Sequence, residues 1–197
     1  MIRSALAALL LLATPALGQS SKEDTGEVAT VPKLSTAELR ADTLDKLFYR
    51  LRKADQPDDA KKAEEQIWRL WMESDSPTAE ALLQQATIAM GEQAPGPALK
   101  ILDALIDAHP EMAEAWNKRA TLYFTLGRYD ESIADIGKTL ELEPRHFGAL
   151  AGWGTILRIQ GKELEALKVF KDALAVNPGM PGVQGAVKEI EVKSRGI

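Results

Sequence analysis

From Ala79 to Met180 the chain repeats itself every 34 residues: Pro110, Pro144 and Pro178 share one slot, Ile106, Leu140 and Leu174 a second, and Ala86, Ala120 and Gly154 a third. Small residues, large apolar residues and prolines all keep this register, and a period of that length marks a stack of helix pairs. One pair alone has nothing on which to bury its apolar face. Stability must therefore come from stacking on neighbours, and the stack leaves a long curved surface on which a partner can lie. The period constrains architecture and mode of action while leaving the partner open.

Each slot has a physical reason. Ala86, Ala120 and Gly154 on the first helices, with Ala98, Ser132 and Ala166 on the second, are small, so two backbones can approach closely while larger side chains fill the gaps between layers. Gly127 and Gly161 fall where a first helix must end and reverse, and glycine reaches positive φ without a Cβ clash. Pro110, Pro144 and Pro178 stand at the junction before the next pair, where proline can open a helix but not sit inside one.

The best unit runs from Ala113 to His146, with Trp116, Ala120, Tyr123, Gly127, Tyr129, Ser132, Ile136, Leu140 and Pro144 in register. It resembles a tetratricopeptide (TPR) repeat. Phe147 to Met180 repeats the match through Leu150, Gly154, Leu157, Gly161, Ala166, Phe170, Ala173, Leu174 and Pro178. Ala79 to Met112 keeps Leu82, Ala86, Ala98, Leu102, Ile106 and Pro110, but has Gln85 and Ala89 where larger apolar residues sit, and its turn, Gln93-Ala94-Pro95-Gly96, reads as shifted. The resemblance implies an all-α fold, a right-handed solenoid of antiparallel helix pairs with three clear repeats.

Upstream, Asp45 to Thr78 carries a degraded form of the pattern, with Phe48 and Leu51 on one helix and Ala60, Ala63, Ile67, Trp68, Trp71 and Met72 on the next. A degenerate N-terminal pair is expected there. Ser35 and Glu38 form a capping box, and Ser76-Pro77 reads as a cap with proline at the first helical position. After the last repeat, Val183, Val187 and Ile190 share a face, as a C-terminal capping helix requires. The repeat domain is expected over 36–194, about 160 residues, enough to bury roughly two thirds of its unfolded surface as one domain.

The first residues read as targeting. Arg3 supplies a positive charge, Ala5 to Ala16 is almost wholly apolar, and Ala16-Leu17-Gly18 offers small residues to a signal peptidase, so residues 1–18 are expected to be a cleaved signal peptide. The apolar run is short of the roughly 20 residues a bilayer-spanning helix needs. Residues 19–35 are polar, contain Gly and Pro, show no helical stripe and read as a flexible linker. The expectation is a periplasmic protein without stable membrane insertion after cleavage. The chain has no cysteine, so neither a lipidated cysteine nor a disulfide contributes.

The charge balance, 24 Lys and Arg against 29 Asp and Glu, is mildly acidic, and no basic stripe of the kind nucleic acid demands is present. No phosphate loop, zinc-ligand spacing or nucleophile elbow occurs. His109 and His146 are the only histidines, both beside the inter-repeat prolines. Capping or surface roles suit them, although His146 within Arg145-His146-Phe147-Gly148 leaves a site conceivable. The chain is expected not to be an enzyme and to need no cofactor or metal.

The TPR resemblance implies that first helices line a concave face, and that a protein or peptide partner is held there. The groove residues it implies are Gln84, Thr87 and Met90, then Asn117, Lys118, Thr121 and Phe124, then Thr155 and Arg158, with Leu83, Ala151 and Gly152 in the same inventory. Thr87, Thr121 and Thr155 share one slot, although threonine is a poor helix-interior residue. Either their hydroxyls form a ladder facing an extended peptide, or each bonds back to its own helical turn. TPR modules that grip a chaperone tail use Lys, Arg and Asn from consecutive first helices. Asn117 and Lys118 fall in part of that clamp, but Leu83, Thr87, Gly148 and Gly152 occupy its other slots, so the clamp is not expected.

Arg119 stands where the TPR pattern has a buried leucine, and an unpaired buried guanidinium is very costly. Asp135 is its expected partner and Glu143 the runner-up. Two functions follow: an interaction module of the cell envelope holding a peptide or partner subunit in its groove, or an assembly component acting through helix ends or its aromatic-rich first pair. Exposure of Trp68 and Trp71 distinguishes them.

Overall fold

The computed structural model describes residues 35–196, and these form nine α-helices and no strand. They are α1 (Thr36–Lys53), α2 (Pro57–Met72), α3 (Pro77–Gly91), α4 (Pro95–Ala108), α5 (Ala113–Thr125), α6 (Tyr129–Leu142), α7 (Phe147–Ile159), α8 (Glu163–Val176) and α9 (Pro181–Arg195). Residues 1–18, expected to be the signal peptide, lie outside the described residues. So does the expected linker except Ser35, the cap of α1.

The helix starts follow local chemistry. Ser35 Oγ accepts from the Glu38 amide at 3.2 Å while the Glu38 carboxylate accepts from the Ser35 amide at 2.8 Å, completing the expected capping box. Ser76 Oγ accepts from the Ala79 amide at 3.2 Å, with Pro77 opening α3. Gly127 and Gly161 take φ of 71° and 76° at the intra-repeat turns. Gln93 takes φ 55° in the same slot of the preceding repeat. That turn is thus not shifted: α4 begins in register at Pro95, and only the residue type at the left-handed position has changed.

Helices α3 to α8 pair as three hairpins, each packs on the next through α4·α5 and α6·α7, and α9 closes the stack against α8. Leu83, Ala86, Ala98, Leu102 and Leu105 are fully buried in the first hairpin, and Phe170, Ala173 and Ile190 lie in the core at the other end. Gly154 earns its slot sterically, because a Cβ there would come within 2.5 Å of the Phe170 ring. Along α9 the buried face is Val183, Ala186 and Ile190, with Val187 half-buried beside them. Ion pairs from Arg158 to Glu189, Lys171 to Glu191 and Lys193 to Glu163 fasten that helix to α7 and α8.

The degenerate pair α1–α2 forms, but it does more than extend the stack. Helix α2 reaches α5 and α1 reaches α8, across the edge where first helices begin and second helices end. Phe48, Ile67 and Trp71 form one core with Phe147 of α7. Arg145 binds both Asp45 of α1 and Glu143 and lies 4.4 Å over the Phe48 ring. Burial opposes its charge, yet the two carboxylates outweigh that and hold its pKa above the ordinary arginine value.

Candidate functional site

Helices α5 and α7 lie side by side, and between them opens a cleft of about 140 Å³. Asn117, Thr121 and Phe124 of α5 face Gly148, Gly152 and Thr155 of α7 across it, over a floor that includes Ile136 and Ile156. Thr155 also rims a wider basin of about 780 Å³, which Arg158 shares and which is bounded by the start of α9 and by Glu64 of α2. The two hollows share Thr155 as a lining residue.

Of the nine groove residues expected from sequence, Asn117, Thr121, Phe124 and Thr155 meet at the cleft, and Arg158 follows in the basin. Gln84, Thr87, Met90 and Lys118 line neither hollow. Gln84 is exposed on α3, and Met90 packs on the core of the first hairpin, where Leu83 is fully buried. The three threonine hydroxyls donate to carbonyls one turn back: Thr87 to Leu83 at 2.8 Å, Thr121 to Asn117 at 2.9 Å and Thr155 to Ala151 at 2.8 Å. Each hydroxyl hydrogen is therefore spent on its own helix, and the three do not form a ladder of free donors facing a ligand.

The groove cations are already paired. Lys118 lies 3.3 Å from Glu114 Oε1, and Arg158 donates to Glu189 at 3.0 Å. Asn117 is nearly buried and donates to Glu114 at 3.0 Å, so it braces its helix as well as lining the cleft. Arg119 finds its expected acid: Nε and one terminal nitrogen donate to Asp135 at 2.7 and 2.9 Å, and the other to Asp103 at 2.8 Å. The Asp135 bond is the main cause that holds the Arg119 pKa above its ordinary value, against the cost of burial. Glu143, the runner-up, serves Arg145.

Sequence reading missed a second polar cluster. His146 is fully buried and caps α7: its Nδ1 accepts from the Ala149 amide at 3.1 Å, leaving Nε2–H to donate to Glu114 at 2.9 Å. Trp71 stacks on its ring, while Trp68 packs edge-on against both His146 and Phe147. The available signal was positional, since His146 occupies the slot filled by Met112 and Met180 in the neighbouring repeats. Trp71 is only 7% exposed and Trp68 half-buried, so the aromatic pair is turned inward rather than presented to a partner. Among the described residues no group of three or more His, Asp or Glu is placed to hold a metal ion, and no helix is long and apolar enough to cross a membrane.

Comparison with known proteins places this geometry. The tetratricopeptide repeat family model matches residues 113–146. A TPR repeat-containing protein of Rhizobium etli is 39% identical over 153 residues, 78% of this chain and 75% of that protein. The SGT1 homolog of Bos taurus is 27% identical over 118 residues, 60% of this chain but 35% of that protein. Solved structures that share the fold include the following two. The pilF protein of Pseudomonas aeruginosa matches with a TM-score of 0.57 at 18% identity, over 81% of this chain and 71% of that one. The first TPR of Spaghetti (RPAP3), solved with the HSP90 peptide SRMEEVD, matches with a TM-score of 0.58 at 20% identity, over 62% of this chain and 99% of that one.

Proposed function

This chain belongs to the tetratricopeptide-repeat family, and on that premise we propose that it is an interaction module of the bacterial cell envelope, holding a peptide or partner subunit in its concave groove without catalysing a reaction. The observation that carries the reading is the cleft between α5 and α7, where Thr121, Phe124 and Thr155 present apolar surface from two consecutive first helices. The solved Spaghetti domain holds a peptide, and its likeness supports the same mode of action here. The envelope location rests on Arg3, the apolar run Ala5 to Ala16 and the small residues at Ala16 and Gly18.

Two measurements test it. N-terminal sequencing of protein from fractionated source cells should find a periplasmic chain beginning near Gln19, and a cytoplasmic chain still carrying Met1 would sink the location. Affinity capture from the same fraction should recover a partner whose yield falls about tenfold with Phe124→Ala, as expected for one lost aromatic contact. Lys138→Ala, on an exposed position of α6 paired only with Glu141, should leave the yield unchanged. The reverse pattern transfers binding to the outer face.

A further inference from the structure

Helix α7 carries two glycines one turn apart on a single face, Gly148 and Gly152. At the first, this protein supplies its own aromatic group: a Cβ on Gly148 would stand 2.7 Å from Cη2 of Trp68. The glycine is there because an indole lies against the bare backbone. At the second, a Cβ would meet only the Ile136 Cδ1 at 3.7 Å, an ordinary contact. Packing inside the protein therefore does not require Gly152, although glycine weakens a helix interior.

What Gly152 does is keep the cleft open. Its volume, about 140 Å³, is close to that of the apolar cavity of about 150 Å³ that accepts a benzene molecule in another protein. Phe124, Ile136 and Ile156 supply apolar walls, and the Thr121 and Thr155 hydroxyls are already bonded to their own helices. An aromatic ring entering there leaves both threonine hydroxyls bonded, and the Asn117 amide, which donates to Glu114, is the other polar side chain of α5 it would lie beside.

The charges beside the cleft decide what flanks that ring. Lys118 and Arg158 are engaged by Glu114 and Glu189, and Glu163 by Lys193. Glu64 of α2 borders the basin that shares Thr155 with the cleft, and among the described residues no ion pair or hydrogen bond engages its carboxylate. The groove thus offers a lone anionic group and no spare cation, the opposite of what an acidic tail needs.

Resting on the groove reading above, we infer that the occupant is a protein segment that inserts one aromatic side chain over Gly152 and places a lysine or arginine beside it, toward Glu64. Trp68 against Gly148 is the internal version of the same contact, one turn away.

The test is amide NMR of the 15N-labelled protein titrated with three blocked dipeptides: acetyl-Phe-Lys-amide, acetyl-Ala-Lys-amide and acetyl-Phe-Glu-amide. Acetyl-Phe-Lys-amide should give saturable shifts centred on Thr121, Gly152 and Thr155. The alanine probe should bind about tenfold more weakly, and the glutamate probe about threefold more weakly. Gly152→Leu should fill the cleft and remove the shifts while the rest of the spectrum stays folded. Glu64→Gln, on a different helix, should abolish the lysine-over-glutamate preference and keep the phenylalanine-over-alanine preference. Equal response to the alanine probe, undiminished shifts in Gly152→Leu, or preference for the glutamate probe overturns the inference. If Phe124→Ala still loses the captured partner in those cases, the groove reading survives and only the aromatic–basic occupant falls; if capture is also indifferent to Phe124, both fall.

Discussion

The indole of Trp71 lies on the imidazole of His146 with ring centroids 4.0 Å apart and planes 11° from parallel. Helix α2 is thereby seated on the start of α7. The same imidazole caps α7 and donates to a fully buried Glu114. One side chain joins the N-terminal pair, the second repeat and the third.

Removing it should affect all three. His146→Ala is expected to destabilise the fold by about 2–4 kcal/mol, combining a lost cap with a buried carboxylate left short of a donor. Urea denaturation followed by tryptophan fluorescence measures this. Combining it with Glu114→Gln should cost less than the sum of the two single changes, because the two groups serve one interaction. Strict additivity would mean that the pair is not coupled.

Three glycines on α7 should respond differently to alanine. Gly154→Ala drives a methyl into the Phe170 ring and should cost about 1–3 kcal/mol. Gly148→Ala crowds Trp68 and should also destabilise, with a change in tryptophan emission. Gly152→Ala meets only ordinary contact and should stabilise by about 0.5–1 kcal/mol. Thermal melts rank them, and a destabilised Gly152→Ala would mean that the cleft floor is more tightly packed than its geometry indicates.

Gln93 is the one described non-glycine residue with positive φ. Gln93→Gly should stabilise by about 1 kcal/mol by removing the Cβ strain. Gly127→Gln, the reverse change in the next repeat at φ 71°, should destabilise to a similar extent. Denaturation midpoints moving the same way for both variants would contradict a common turn geometry.

Docking of α9 should weaken in acid. Hydrogen bonds from Lys193 and Arg158 hold the Glu189 carboxyl below its ordinary pKa of 4.5, and Lys171 does the same for Glu191. A carboxyl depressed in the folded state stabilises above its unfolded pKa, and that contribution is lost as pH falls from 4.5 through the lower folded value. Glu189→Gln should therefore lower the melting temperature slightly at pH 7 and by less as the pH falls below 4.5. These groups are exposed, so added salt should shrink the difference at pH 7 as well. An effect undiminished in acid would assign Glu189 a role other than its charge.

The sequence by itself determined the repeating part of this molecule, because the relevant physics is local and recurs. The spacing of Ala120, Ser132 and Gly154 encodes close helix approach, and Ser35, Ser76, Gly127 and Gly161 encode starts and turns within a few residues of where they act. Even the unusual Arg119 was legible, since its slot placed it beside α6 and Asp135 is the acid of that face. Tertiary structure alone decided where the N-terminal pair docks and what the groove contains. Trp68 and Trp71 fall in the degenerate first pair and His146 replaces the methionine of its slot, so no periodicity relates the three, and their contacts depend on shape matching between segments remote in sequence. The threonines show the same limit: one slot placed three side chains alike, but only coordinates reveal that each hydroxyl donates to the carbonyl one turn back on its own helix. The cleft over Gly152 belongs to that second class, because an opening is defined by the side chains that fail to fill it, and those come from α5, α6 and α7 at once.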